Sequence, residues 1–165
     1  MSSIPISTEG FARLKQELER LKAERPAIIQ AIKEAREEGD LSENAGYDAA
    51  RERQGMLEAK IDFIESRMPR FNVVETTNLG GEVVIFGATV KLVDLDTDEE
   101  RTYLLVGPDE TDFVRDKSAI SVFSPVGRAL LGKAAGEDTT VDAPRGKIQY
   151  EILELDFNGP YITAG

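Results

Sequence analysis

Asp40 and Glu43 stand three residues apart in the short break Gly39-Asp40-Leu41-Ser42-Glu43-Asn44, between two long segments whose apolar residues recur at helical spacing. Two carboxylates so close together offer hard oxygen ligands to a divalent cation. Mg²⁺ keeps several waters and is typically held by one or two carboxylates plus substrate phosphates, so such a pair binds it weakly alone and usefully only when a partner completes the shell. In two-metal phosphoryl transfer one ion activates the attacking water and the other stabilises the leaving oxygen. A pair like this can lend half of that site. The same residues also have a plainer use: Asp40 or Ser42 can cap the second helix, with Glu43 completing a capping box or favouring the positive end of the helix dipole. Spacing alone leaves both readings open.

Composition narrows the chemistry. The 165 residues include no histidine and no cysteine, which removes the commonest general base, thiolate metal sites and disulfides. Any chemistry must run mainly through carboxylates. A formal net charge of −11 argues against wrapping free nucleic acid, because such binding neutralises phosphates with Lys and Arg. No independent DNA binding is expected. No apolar run approaches membrane-spanning length and the N-terminus lacks the pattern of a signal peptide, so the expected location is the cytoplasm.

The elements that must hold the acidic break come next. Ser7-Thr8-Glu9 offers an N-cap and an acidic first turn. Phe11, Leu14, Leu18, Leu21, Ile28, Ile32 and Ala35 then step by three and four, with Arg25 interrupting the series, and Pro26 predicts a local kink but not a helix end. After the break the rhythm returns in Tyr47, Ala50, Gln54, Leu57, Ile61, Ile64 and Met68. Two striped segments joined by a few residues bury their stripes most simply against each other as an antiparallel helical hairpin. At about 1.5 Å per residue, such helices extend ~40 Å, with the carboxylates at the tip.

Beyond Pro69 the period changes. Residues 1–6 read as loosely attached, though Ile4-Pro5-Ile6 can pack as a small extended segment, 70–82 as a connector, and Val83 to Phe86, Thr89 to Leu95, Arg101 to Val106, Thr139 to Val141 and Ile148 to Phe157 as strands. Ser124-Pro125 opens a short helix that ends at Gly132. The expected fold class is α+β: a coiled-coil hairpin over 1–76 with its tip at 39–44, a linker at 77–81, a small antiparallel sheet domain with one short helix over 82–157, and a mobile tail at 158–165.

The stretch Gly39-Asp40-Leu41-Ser42-Glu43-Asn44-Ala45, continuing to Tyr47 and Asp48-Ala49-Ala50, resembles the tip of the bacterial Gre transcript-cleavage factors. Ser124-Pro125-Val126-Gly127-Arg128-Ala129-Leu130-Leu131-Gly132-Lys133, Pro144 and Tyr150-Glu151-Ile152 resemble the same family's globular domain, and Glu9-Gly10, Pro26 and Arg36 also fit. The resemblance implies an FKBP-like second domain that docks on RNA polymerase, and a hairpin that enters the secondary channel. The tip then helps the enzyme hydrolyse the 3′ segment of a backtracked transcript. Carried over, Asp40 and Glu43 are the catalytic and Mg²⁺-binding pair, effective only with the polymerase. Leu41, Ser42 and Asn44 support the tip. Arg36 and Arg51 would contact the RNA, against the plainer reading of solvated charges. The resemblance fits a monomeric accessory factor with no membrane partner and no tightly bound cofactor of its own. Gly46 departs from the family's Glu-Asn-Ala-Glu-Tyr pattern, at a cost to helix propensity. Two rivals remain at this stage, a channel-binding inhibitor and a coiled-coil adapter or chaperone.

Overall fold

The computed structural model describes residues 3–39, 44–114 and 118–162. Contacts divide it into two units, one of residues 14–70 and one combining residues 1–13 with 71–165. The division differs from the sequence boundaries of 1–76 and 82–157 because the first residues of the chain pack with the sheet domain.

In the helical unit, α1 (Thr8–Ala23) and α2 (Arg25–Glu37) are separated by Glu24 alone, and α3 (Ala45–Arg67) returns. Pro26 accounts for the interruption, since it has no N–H to give to the carbonyl four residues earlier. The Glu24 amide donates to Leu21 O at 3.1 Å and the Ile28 amide to Glu24 O at 3.3 Å, so helical hydrogen bonding resumes at once. The irregularity expected at Pro26 is sharp enough to end one helix and begin the next.

The apolar stripes are the buried faces. Leu14, Leu18, Leu21, Ile28, Ile32 and Ala35 are buried, as are Ala50, Leu57, Ile61 and Ile64 on α3. Arg25, the polar interruption in the seam, forms two hydrogen bonds with Glu58 at 2.8 and 2.7 Å. This pairing holds the Glu58 carboxyl below its ordinary pKa. Arg25 on α2 meets Glu58 on α3, and Arg36, eleven residues later, meets Tyr47, eleven residues earlier. Partner numbers that fall as the others rise fix the helices as antiparallel, as the two stripes require.

The second unit holds two sheets. β1 (Ile4–Ser7) pairs in parallel with β2 (Phe71–Val74), so Ile4-Pro5-Ile6 packs as a short extended segment and 70–82 is not merely a connector. The larger sheet has the order β5-β4-β3-β7-β6, from β3 (Thr89–Asp94), β4 (Glu100–Val106), β5 (Ala119–Ser121), β6 (Asp138–Ala143) and β7 (Gly146–Asp156). It is mixed and not purely antiparallel: β5 runs parallel to β4, after a connection long enough for the crossover that parallel pairing demands. Val83 to Phe86 is not a strand. It makes one isolated bridge, Val83 to Ala134, and Val84 is buried in the core with Leu92, Leu105, Leu130 and Ile152. The short helix α4 (Pro125–Leu130) has Ser124 as its cap, accepting from the Gly127 amide at 3.0 Å. The expected mobile tail is packed as far as Ile162, which is 3% exposed, while residues 163–165 lie outside the described residues.

A buried carboxylate joins the start of the chain to the sheet. Glu110 is fully buried; it accepts from the Ser7 amide at 3.2 and 3.1 Å, the Ser7 hydroxyl at 2.6 Å and the Gly107 amide at 2.8 Å. Ser7 in turn caps α1, accepting from the Gly10 amide at 3.0 Å. Gly10 is required for this approach, because a Cβ there would lie 2.3 Å from Glu110 Oε1. Burial pushes the Glu110 pKa up, opposed by hydrogen bonds from Ser7 and Gly107 and assisted by the charge of Asp109. The neighbouring Tyr161 phenol is also pushed up, by burial and then by Glu110.

Ser7→Ala removes both a helix cap and a donor to a buried carboxylate, and should cost about 2 kcal/mol or more in urea unfolding. A carboxyl whose pKa is raised by folding stabilises the protein below its unfolded value and loses that contribution as pH rises through the folded value. The stability of the protein relative to Glu110→Gln, which cannot titrate, should therefore fall between acidic and neutral pH. A flat difference over that range would contradict the assignment.

Candidate functional site at the hairpin end

Asp40, Leu41, Ser42 and Glu43 lie outside the described residues. Their flanks define the frame in which they sit. α2 closes at Glu38, whose amide donates to Ala35 O at 3.3 Å. Gly39 follows with φ +120°, a conformation that L side chains rarely adopt, and has open space around its α-carbon.

The N-cap of α3 is Asn44. Its backbone is extended, with φ −88° and ψ 94°, and its side-chain oxygen accepts from the Tyr47 amide at 3.0 Å. Its side-chain nitrogen donates across the hairpin to Ala35 O at 2.5 Å. One side chain thus satisfies an orphan amide at the start of α3 and a carbonyl at the end of α2. The cap that Asp40 or Ser42 could have supplied is filled by Asn44. Of the residues expected to support the tip, Asn44 is the cap of α3, and Leu41 and Ser42 fall outside the described residues.

Arg36 and Arg51, both exposed, line one shallow groove of about 240 Å³ with Ile29, Ile32, Lys33 and Gln54. Lys33 joins them, while Arg53 is not among the lining residues. The Arg36 guanidinium lies 5.9 Å from the Tyr47 ring centroid, and Arg51 Nη1 donates to Gln54 Oε1 at 3.2 Å. Sequence reasoning missed Ile29, which is 57% exposed beside the buried Ile28. Its signal was an isoleucine one step off the seam, with no helix to cover it. An apolar floor with cations on its rim can take a strand that offers both flat rings and phosphates. Among the described residues, no group of three or more acidic or other metal-binding side chains is gathered to hold an ion.

The two glycines beside the tip should respond oppositely to alanine. Gly39→Ala strains a positive-φ position and should destabilise the hairpin by about 1–2 kcal/mol. Gly46 carries no such φ, and a Cβ would meet only Asn44 Oδ1, at 3.3 Å. Gly46→Ala should stabilise by less than about 1 kcal/mol, the helix propensity gained being partly offset by that contact. Urea unfolding followed by circular dichroism measures both.

Comparison with known proteins covers nearly the whole chain. Residues 4–73 match the family model for the N-terminal region of GreA/GreB, described as transcription elongation factor, N-terminal. Residues 79–157 match the model described as transcription elongation factor, GreA/GreB, C-term. Transcription elongation factor GreA of Solidesulfovibrio magneticus is 65% identical over 164 residues, with 99% of each chain covered. Its counterpart in Nitratidesulfovibrio vulgaris (strain Miyazaki F) is 67% identical over 159 residues, covering 96% of this chain and 98% of the relative. A solved structure, GreA factor homolog 1 (Gfh1) of Thermus thermophilus, is 30% identical and covers 93% of this chain and 99% of its own, with a TM-score of 0.44. With both family models matched and relatives two-thirds identical from end to end, the chain belongs to the GreA/GreB family of transcription elongation factors.

Proposed function

We propose that this elongation factor binds RNA polymerase in the cytoplasm, inserts its hairpin into the secondary channel, and stimulates the polymerase to cleave the 3′ segment of a backtracked transcript. The factor is an accessory and the polymerase supplies the active centre. The observation that carries the reading is the identity of the α3 cap: Asn44 fills it, so the carboxylates of Asp40 and Glu43 are not required there.

The donor set suits Mg²⁺ shared with the polymerase. Asn44 has both amide atoms engaged, which leaves two carboxylates, hard oxygen ligands too few to hold the ion alone. Asp40 and Glu43 would hold it, and when bound it would supply charge stabilisation and an activated water for phosphodiester hydrolysis. The chain's own residues do the rest. Asn44 joins the helix ends, and the α2–α3 seam keeps the two helices paired behind them. Lys33, Arg36 and Arg51 offer charge to the phosphates of the extruded RNA, with Ile29 beneath. No helix among the described residues is long and apolar enough to cross a membrane.

The test is cleavage in a purified, deliberately backtracked polymerase complex. Cleavage should appear only with polymerase present, and Asp40→Ala/Glu43→Ala should reduce the stimulated rate by at least about 10²-fold while the variant still binds. Removing the charges of Arg36 and Arg51 should raise the factor concentration needed for half-maximal cleavage. Equal slowing of elongation by both proteins, without cleavage, would make the hairpin a channel plug instead.

A further inference from the structure

We infer that Asn44 is a positioning residue that fixes the span across which the acidic turn closes; the inference rests on the cleavage reading above. Three hydrogen bonds meet at this residue. Its Oδ1 accepts from the Tyr47 amide at 3.0 Å, its carbonyl accepts from the Asp48 amide at 3.2 Å, and its Nδ2 donates to Ala35 O at 2.5 Å. The first two begin α3. The third does not belong to α3 at all: it fastens the first turn of one helix to the last turn of the other.

Only an amide does both jobs with one short side chain. Aspartate caps a helix as well as asparagine does, but it would set an oxygen against the Ala35 carbonyl. Serine caps too, but it has no second polar atom to reach across. The chain offers Asp40 and Ser42 within four residues of Asn44, so capping alone gives no reason for asparagine at the cap. The donor to Ala35 does.

The seam is independent of this bond. Ile32 and Ala35 are buried on α2, and Ala50 and Leu57 on α3, so the helices stay paired when the amide is lost. What changes is the separation between Gly39, where the acidic turn leaves α2, and residue 44, where it rejoins α3. Misplacing a catalytic group by about 1 Å can cost 10²-fold in rate. Arg36 is attached to the same frame, because the Tyr47 ring beneath it belongs to the residue that Asn44 caps.

The experiment compares the full-length protein with Asn44→Ser and Asn44→Asp. Maximal cleavage rate and half-saturating factor concentration are measured separately on backtracked complexes with Mg²⁺, and amide hydrogen exchange is followed over residues 36–46. Both variants retain a capping oxygen, so the expected result is unchanged helix content and a half-saturating concentration within about twofold. The maximal rate should fall by about tenfold or more, with faster exchange in the turn. A merely structural residue would not separate rate from affinity in this way. An Asn44→Ser variant with the unmodified maximal rate, or one whose defect lies wholly in factor concentration, would overturn the inference. If the unmodified protein stimulates no cleavage, the functional reading fails; unchanged exchange in Asn44→Ser would then also dismiss the clamp, whereas faster exchange would uphold it.

Discussion

The apolar seam between α2 and α3 is the constraint on which the functional end of this protein depends. Ile28, Ile32 and Ala35 on one side and Ala50 and Leu57 on the other are buried, and the large aliphatic side chains among them each stabilise by about 1.5–3 kcal/mol when removed from water. Packing of that size holds two helices together, but a uniform stripe tolerates sliding. Register is selected by the polar pairs along its edge. Arg25 replaces an apolar residue in the seam and finds Glu58 on α3, and Arg36 finds the Tyr47 ring nearer the tip. In this register Ala35 O comes within reach of the Asn44 amide, so the close of the hairpin depends on the packing behind it.

The sheet unit solves a different problem with a different force. It must hold the strand that precedes α1, and it does so by burying Glu110 beneath Ser7 and offsetting the desolvation with amide and hydroxyl donors. The arrangement is demanding. The loop between β4 and β5, the start of α1 and the strand Ile4–Ser7 must all be present for the carboxylate to be satisfied. A fragment beginning after residue 77 would lack Ser7 and both strands of the smaller sheet, which belong to the same compact unit as residues 82–157.

Much of this was legible in the sequence where the signal is local. The three-and-four spacing gave the helical hairpin, and Ser7 and Ser124-Pro125 marked helix starts that the structure retains. Non-local features left weaker traces. The parallel pairing of Ile4 with Phe71 joins residues far apart in the chain and has no turn between them to announce it. Val83 to Phe86 read as a strand because burial and strand propensity look alike in a short apolar run. Nothing in the local sequence singles out Glu110, whose donors lie more than a hundred residues away at Ser7 as well as nearby at Gly107. At the tip, three residues able to cap a helix lie within five positions, and sequence cannot rank them; the structure selects the one whose second polar atom has a partner across the hairpin. The roles of Asp40 and Glu43 came from resemblance to the family, which no periodicity could have supplied.

The tip is proposed to act on a metal ion rather than through the grip of the hairpin on its partner. The measurement that tests it most directly is the Mg²⁺ dependence of cleavage at saturating factor, comparing the protein with Asp40→Asn/Glu43→Gln, which keeps side-chain size and removes charge. The account predicts that the variant needs far more Mg²⁺ to approach its maximal rate, while the factor concentration for half-saturation is unchanged. An identical Mg²⁺ titration, with any loss confined to factor binding, would contradict it.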